Sequence, residues 1–362
     1  MTDFLSDKIR RLEEYQPNTE LFPVRLDANE SPFQISEALR REFAAYMESA
    51  EFNRYPDPYA GDIISAYGAA YGLPSDHIVC GNGSDELISI ICGSFIEKGT
   101  SAAVTYPDFS MYEFYSGLAE ASVSVCEKKD GVGIDFDELL YLAKENGARL
   151  IIFSNPCNPT SKLYPRETIL SFVRRAAGIG ALAVIDEAYM DFARSDESLM
   201  KADILDSNPN LIVLRTLSKL GLAGLRLGFA AGCETLIRAI KKVKSPYNVN
   251  IVSQACGALA LKRFGEFREN ARVIREQTAR LYAEMIPYAQ NMGFMIPEPD
   301  TNFIYMRFGS DDVPAAVWKA LKTGGISVRH FASQSALRVT AGTYEENSAF
   351  ISAAADIFAD LR

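Results

Sequence analysis

Short apolar runs recur through the middle of the chain, each closing on a glycine, an asparagine, an aspartate or a hydroxyl and most followed by a helix-like stretch. They predict strands over 78–80, 102–105, 150–153, 182–185 and 211–214, with a further candidate over 226–231. Helices are predicted over 84–97, where Asp85 and Glu86 make an acidic first turn, from about 110, and over 165–177. Continuous rather than alternating apolar runs belong to strands covered on both faces, which implies a mostly parallel sheet between helices. Polar residues gather just past these strands, at Asn82, Asn155, Asp186 and Thr216. In an open α/β sheet that rim is where ligands bind.

The last third reads differently. A long, charge-rich helical pattern runs over 264–288, followed by strands over 302–306 and 336–340 and helices over 313–322 and 345–361. The expected fold class is α/β: a three-layer large domain with a mostly parallel mixed sheet, over 46–255, and a smaller α+β domain made of 1–45 and 256–362. The chain carries no internal repeat.

Composition narrows the functional field. The 362 residues hold 37 Lys and Arg against 47 Asp and Glu, a formal net charge of −10. An acidic surface is a poor fit for general nucleic-acid binding, so no nucleic-acid partner is expected, although a local basic pocket for a small anion is compatible. No apolar stretch of about 18 residues occurs, so no membrane span is expected. The N-terminus lacks a basic start followed by an apolar run, and the expected location is cytoplasmic. Six cysteines, at 80, 92, 126, 157, 233 and 256, form no C-x-x-C pair and read as core-filling thiols. With His77 and His330 the only histidines, a His-based metal site or a Ser-His-Asp triad has too few members.

Four segments carry candidate chemistry. In the first, a strand delivers Thr216, Ser218 and Lys219, then a glycine-containing loop, then Arg226. A lysine after a strand is ordinarily a solvated surface residue. Among hydroxyls at a ligand rim it suits Schiff-base formation with a carbonyl. Thr216, Ser218 and Arg226 could hold a phosphate beside it. The second is Asp186, followed by Tyr189, at the end of the 182–185 strand. It is either a capping carboxylate or one that keeps a pyridinium nitrogen protonated, which makes the ring an electron sink. The third has two Asn-Pro dipeptides, which leave Asn158 on a rigid turn; alone it is simply a loop. The fourth, Gly81 to Glu86, is a glycine turn opening a helix. Its free N–H groups at Gly83, Ser84 and Asp85 suit a phosphate or reflect capping alone.

Taken in order, with 28 residues from Asn158 to Asp186 and 33 from Asp186 to Lys219, these segments resemble the fold-type I pyridoxal-phosphate enzymes, the aspartate-aminotransferase superfamily. Within it the chain is most similar to the histidinol-phosphate aminotransferase family. The similarity is carried by Leu26-Asp27-Ala28-Asn29-Glu30-Ser31-Pro32, Arg54-Tyr55-Pro56-Asp57, and Leu337-Arg338-Val339-Thr340-Ala341-Gly342-Thr343. The resemblance implies pyridoxal 5'-phosphate as cofactor and Lys219 as the Schiff-base lysine and proton shuttle. Asp186 would pair with the pyridine nitrogen, and Tyr189 and Asn158 would meet the ring hydroxyl oxygen. Phe109 would stack on the ring. Gly83, Ser84, Asp85, Thr216, Ser218 and Arg226 would surround the phosphate, with Tyr55 reaching it from a neighbouring subunit of a homodimer with shared sites. Tyr15, Asn29, Arg329 and Arg338 are the implied substrate contacts. Two departures stand out: the loop from Lys219 to Arg226 is one residue shorter than in many relatives, and Phe109 replaces a tyrosine found in several.

The implied reaction is amino transfer between histidinol phosphate and 2-oxoglutarate, in histidine biosynthesis, with a small-molecule amino donor and a 2-oxo acid as partners. Arg338, and Arg329 beside it, would anchor the anionic group. A threonine-phosphate decarboxylase or an aromatic amino-acid aminotransferase on the same scaffold is the alternative. A non-catalytic regulatory module is a remote one, because Lys219, Asp186 and Arg226 are all present.

Overall fold

The computed structural model describes residues 4–10, 12 and 19–361. Among them eleven strands form two sheets: β1 (Val24–Leu26), β2 (Ile78–Asn82), β3 (Ser101–Tyr106), β4 (Ser122–Glu127), β5 (Ala148–Ser154), β6 (Leu182–Asp186), β7 (Leu211–Thr216), β8 (Leu227–Gly232), β9 (Phe303–Arg307), β10 (Ile326–Phe331) and β11 (Ala336–Thr340). The seven-stranded sheet has the order β2-β8-β7-β6-β5-β3-β4, parallel except for β8, which runs antiparallel to both neighbours. The four-stranded sheet has the order β1-β10-β11-β9 and is mixed.

The larger sheet is buried on both faces, as its continuous apolar runs require. Side chains alternate across a strand, so Leu150, Ile152, Val184 and Leu214 enter one core while Ile151, Phe153, Ile185 and Val213 enter the other. The first core is covered by the helix Ser84–Phe95, through Leu87, Ile88 and Ile91. The second is continuous with the packing of the smaller sheet, through Phe303, Ile304 and Leu337.

The expected elements recur with small shifts in their ends. The helix Phe264–Met292 runs unbroken past Pro287, continues four residues beyond the predicted end at 288, and stops at Gly293 in the left-handed region at φ 72°. At about 1.5 Å per residue its 29 residues span roughly 44 Å. Its buried stripe, Phe267, Ala271, Ile274, Thr278, Leu281 and Met285, steps by three or four and reaches from the turn Met190–Phe192 to β9 and the helix Tyr344–Asp360.

Strands β1, β4 and β10 carry no prediction. β4 is the edge of the large sheet and half-exposed, so only Val123, Val125 and Cys126 break a polar run. β1 is three residues long and is held by parallel pairing to β10, a contact far in sequence. The domain boundaries drawn at 45/46 and 255/256 pass through the helices Glu37–Ser49 and Ile251–Lys262, which pack on each other. All six cysteines are buried and free. Among the described residues no helix is long and apolar enough to cross a membrane, and no metal-ligating cluster occurs.

Candidate active site

Parallel pairing puts the ends of β3, β5, β6 and β7 on one rim, with Ser154 opposite Asp186 in register. The rim opens into a cleft of about 210 Å³. Asp186 lies on its floor, 4% exposed. Its Oδ2 accepts from Tyr112 Oη at 2.8 Å and its Oδ1 from the Ala188 N–H at 3.0 Å. No cationic side chain pairs with it among the described residues. Burial pushes its pKa up to about 6, against the pull of those two hydrogen bonds. A buried carboxylate this short of positive charge is complementary to a cation in the cleft.

Two hydrogen-bond donors face the cleft near it. Asn29 Nδ2 donates to Tyr189 Oη at 2.8 Å, which leaves the phenol proton free to donate onward. Asn158 Oδ1 accepts from Arg338 Nη1 at 2.6 Å, which leaves its Nδ2–H to donate. Arg338 is held between the rings of Phe303 and Phe331, at 5.3 and 5.6 Å, and donates through Nη2 to the Asp27 carbonyl at 2.7 Å. Phe109 lines the cleft, edge-on to Tyr112.

The opposite corner is built for an anion. The helix Ser84–Phe95 begins at Gly83 without a side-chain cap, so its first N–H groups are available. Thr216 Oγ1 lies 2.8 Å from Ser218 Oγ and accepts from the Ser218 N–H at 3.1 Å, which fixes both hydroxyls. Arg226 takes a left-handed conformation, at φ 52°, and lays its guanidinium over Gly83, where a Cβ would come within 2.7 Å of Nη2. It also lies 3.6 Å from Asp85 Oδ2. Lys219 stands between the two corners. Its Nζ is 5.9 Å from the centre of the Tyr189 ring and makes no hydrogen bond or ion pair among the described residues.

A family model, aminotransferase class I and II, matches residues 23–353. The chain belongs to this family. The histidinol-phosphate aminotransferase of Clostridium novyi is 34% identical over 344 residues, covering 94% of this chain and 93% of that one. The Chromobacterium violaceum protein of the same name is 36% identical over 339 residues, 91% of each. Among solved structures, histidinol-phosphate aminotransferase from Sinorhizobium meliloti, in complex with pyridoxal-5'-phosphate, superposes with a TM-score of 0.88 at 22% identity, over 100% of this chain and 99% of that one. The fold is thus that of these aminotransferases, as the sequence implied.

Of the residues singled out in the sequence, Ser84, Asp85, Phe109, Asn158, Asp186, Tyr189, Thr216, Ser218, Lys219 and Arg226 come together around this aminotransferase cleft. Five others lie off its lining, among them Gly83, whose N–H is not free for an anion but donates to the Gly81 carbonyl at 2.9 Å. Asn29 is 1% exposed and spends its side chain on Tyr189 and Thr340. Arg338 reaches the cleft only through Asn158, and Arg329 sits opposite it on β10, packed on Phe331. Tyr55 is 81% exposed and stacks on Tyr247 at 4.6 Å. Tyr15 lies outside the described residues. Sequence reasoning missed Tyr112, Ser154, Glu30 and Gly228. Tyr112 lies in the first turn of the helix Met111–Leu118, and its role comes from the hydrogen bond to Asp186, 74 residues away, which no local spacing announces. Gly228 carries no local signal either, because its role comes from β8 passing beneath the helix Ser84–Phe95.

Proposed function

We propose that this chain is a pyridoxal-5'-phosphate-dependent aminotransferase of the histidinol-phosphate type, transferring an amino group between histidinol phosphate and 2-oxoglutarate. The observation that carries the cofactor is Asp186: a buried carboxylate held by two donors and no cation, which fits a protonated pyridine nitrogen. The anion corner fits the cofactor's phosphate, with the N–H groups of Ser84 and Asp85, the Ser218 hydroxyl, oriented by Thr216, and the Arg226 guanidinium as donors. The identity to curated histidinol-phosphate aminotransferases supports the substrate.

When bound, the cofactor supplies a carbonyl that takes up the amino group and a ring that accepts the electrons of a broken Cα bond. The chain's residues do the rest. Asp186 holds a proton on the ring nitrogen, and its burial makes that pairing strong. Tyr189 Oη and Asn158 Nδ2 would donate to the ring oxygen, and Phe109 would stack on the ring. Lys219 Nζ, uncommitted to any partner, moves the proton at the substrate carbon. Arg338, one hydrogen bond behind the lining at Asn158, is the cation that the substrate's phosphate or, in the other half-reaction, a carboxylate would have to approach.

The reading extends to assembly and to domains. Phe52, Tyr55, Tyr59 and Val243 are exposed large apolar residues, and the Tyr55–Tyr247 stack brings the 52–59 segment to the 243–247 segment. A patch of this kind fits a second copy of the chain, with Tyr55 donating to the partner site's phosphate. The two sheets form a large and a small domain with the cleft between them, and the enzyme works in the cytoplasm.

A panel of amino donors given to the purified holoenzyme in single turnover tests the proposal. Fast conversion of the cofactor's absorbance with histidinol phosphate is the expected result. Preference for phenylalanine or tyrosine would assign an aromatic aminotransferase, and release of carbon dioxide from threonine phosphate a decarboxylase.

A further inference from the structure

Beneath the cleft lies a charged pair that the reading above leaves without a role. Lys128 follows the edge strand β4, where a lysine belongs in solvent, yet its side chain is fully buried, as is that of Asp108. The ammonium has three N–H groups and all three are used: Pro107 O at 2.6 Å, Asp108 Oδ2 at 3.1 Å and Cys157 Sγ at 2.8 Å. These acceptors come from two loops. Pro107 and Asp108 lead directly into Phe109, and Cys157 directly precedes Asn158.

Asp108 extends the connection. Its Oδ1 accepts from the Phe109 N–H at 2.8 Å and from the Ser154 hydroxyl, and its Oδ2 accepts from Thr105 Oγ1 at 2.6 Å. Ser154 Oγ in turn accepts from the Asn158 N–H at 3.1 Å. One route therefore runs from Lys128 through Asp108 to Phe109, and a second through Asp108 and Ser154 to the backbone of Asn158. Both ends line the cleft.

Pairs of this sort are poor devices for stability alone, because taking both charges out of water costs as much as their attraction returns. What a saturated buried hub does supply is fixed geometry. We propose that Lys128 and Asp108 are positioning residues that hold Phe109 and Asn158 in register with each other, so that the ring stacked by one meets the amide of the other. This rests on the cofactor reading above.

The test uses the holoenzyme and its cofactor-free form, with pyridoxal 5'-phosphate as the probe. Three quantities are read: the Kd for the cofactor, the visible circular dichroism of the bound cofactor, which reports ring orientation, and the Tm of the cofactor-free chain. Asn158→Ala provides the reference change. Ser154→Ala cuts the relay and leaves the ion pair in place. It should weaken cofactor binding about tenfold and alter the dichroism band in the same sense as Asn158→Ala, with little change in Tm. Lys128→Met should do the same and lower Tm. Lys128→Met combined with Asn158→Ala should lose less affinity than the sum of the two single losses, because part of the Lys128 effect runs through Asn158. Wild-type Kd and dichroism in Ser154→Ala would overturn the proposal, as would full additivity in the double variant or an Asn158→Ala protein with wild-type values. Where Lys128→Met fails to fold, Ser154→Ala decides alone. A wild-type protein that binds no cofactor defeats the cofactor reading instead, so the two failures are distinct.

Discussion

Asp186 costs the folded chain stability before any ligand arrives. A rise from the ordinary 3.8 to about 6 corresponds to about 3 kcal/mol when the group is fully ionised. The folded chain holds this proton more tightly than the unfolded one. The cost is therefore absent below pH 4, grows as pH rises through the interval from about 4 to about 6, and is complete above it. Asp186→Asn should raise the Tm of the cofactor-free protein at neutral pH by about 2–4 °C and flatten its decline across that interval. The same change should lower kcat on the order of 10²- to 10⁴-fold, since a neutral amide cannot hold a ring proton. Calorimetry across the pH range, beside a rate assay, checks both; an unaltered pH slope would count against the burial cost. Lys219→Ala should abolish the mass adduct that borohydride fixes between cofactor and chain, and lower turnover by a comparable or larger factor. Turnover within tenfold of wild type would remove Lys219 from its role. Both residues were legible because Asp186 ends an apolar strand with a charge and Lys219 follows another by three residues, among hydroxyls. Tyr112 and Ser154 were less so, because their importance is a hydrogen bond to a residue far away in the chain.

At the scale of elements, the anion corner depends on one close approach. Gly228 on β8 pairs with Thr216 on one side and Gly81 on the other, directly under the start of the helix Ser84–Phe95. A Cβ there would lie 2.3 Å from the Gly83 carbonyl carbon and the Ser84 nitrogen, both backbone atoms that cannot swing aside. Gly228→Ala should therefore push the helix end off the strand. Cofactor affinity should drop about tenfold or more, and denaturant unfolding should show a loss of about 1–3 kcal/mol. Gly224→Ala, where nothing lies within 4 Å, is the matched control and should leave affinity unchanged. Equal effects from the two would show that steric approach is not the cause. This dependence also marks where sequence reading runs out. The buried parallel strands β3, β5, β6 and β7 announce themselves by unbroken apolar runs. β1, β4 and β10 do not, since β1 exists through its pairing with β10 and β4 through an edge contact with β3. The proximity of Gly228 to Ser84 is likewise a product of β8 reversing direction in the sheet, which no local pattern encodes.

For the whole molecule, Tyr55 is the residue that distinguishes a site built by one chain from a site built by two. The long helix Phe264–Met292 could be anticipated from periodicity, but Tyr55 could not be placed from spacing: 81% exposed, it lies off the lining of its own chain's cleft. If it serves the partner's phosphate corner, its phenol makes a charge-assisted hydrogen bond worth about 1.5–3 kcal/mol, and Tyr55→Phe should weaken cofactor retention about tenfold or more. The mixed dimer distinguishes the arrangements. Suppose one subunit carries only Lys219→Ala and the other only Tyr55→Phe. With Tyr55 acting across the interface, one site collects both defects and the other has neither, so the dimer keeps one wild-type site. With Tyr55 acting within its own chain, one site lacks the lysine and the other lacks the phenol, so neither is intact. Cofactor titration of the purified mixed dimer separates these cases: one tight site with half the wild-type turnover is the expected outcome. Uniformly weak binding, or an active species that sediments as a monomer, would assign each site to a single chain.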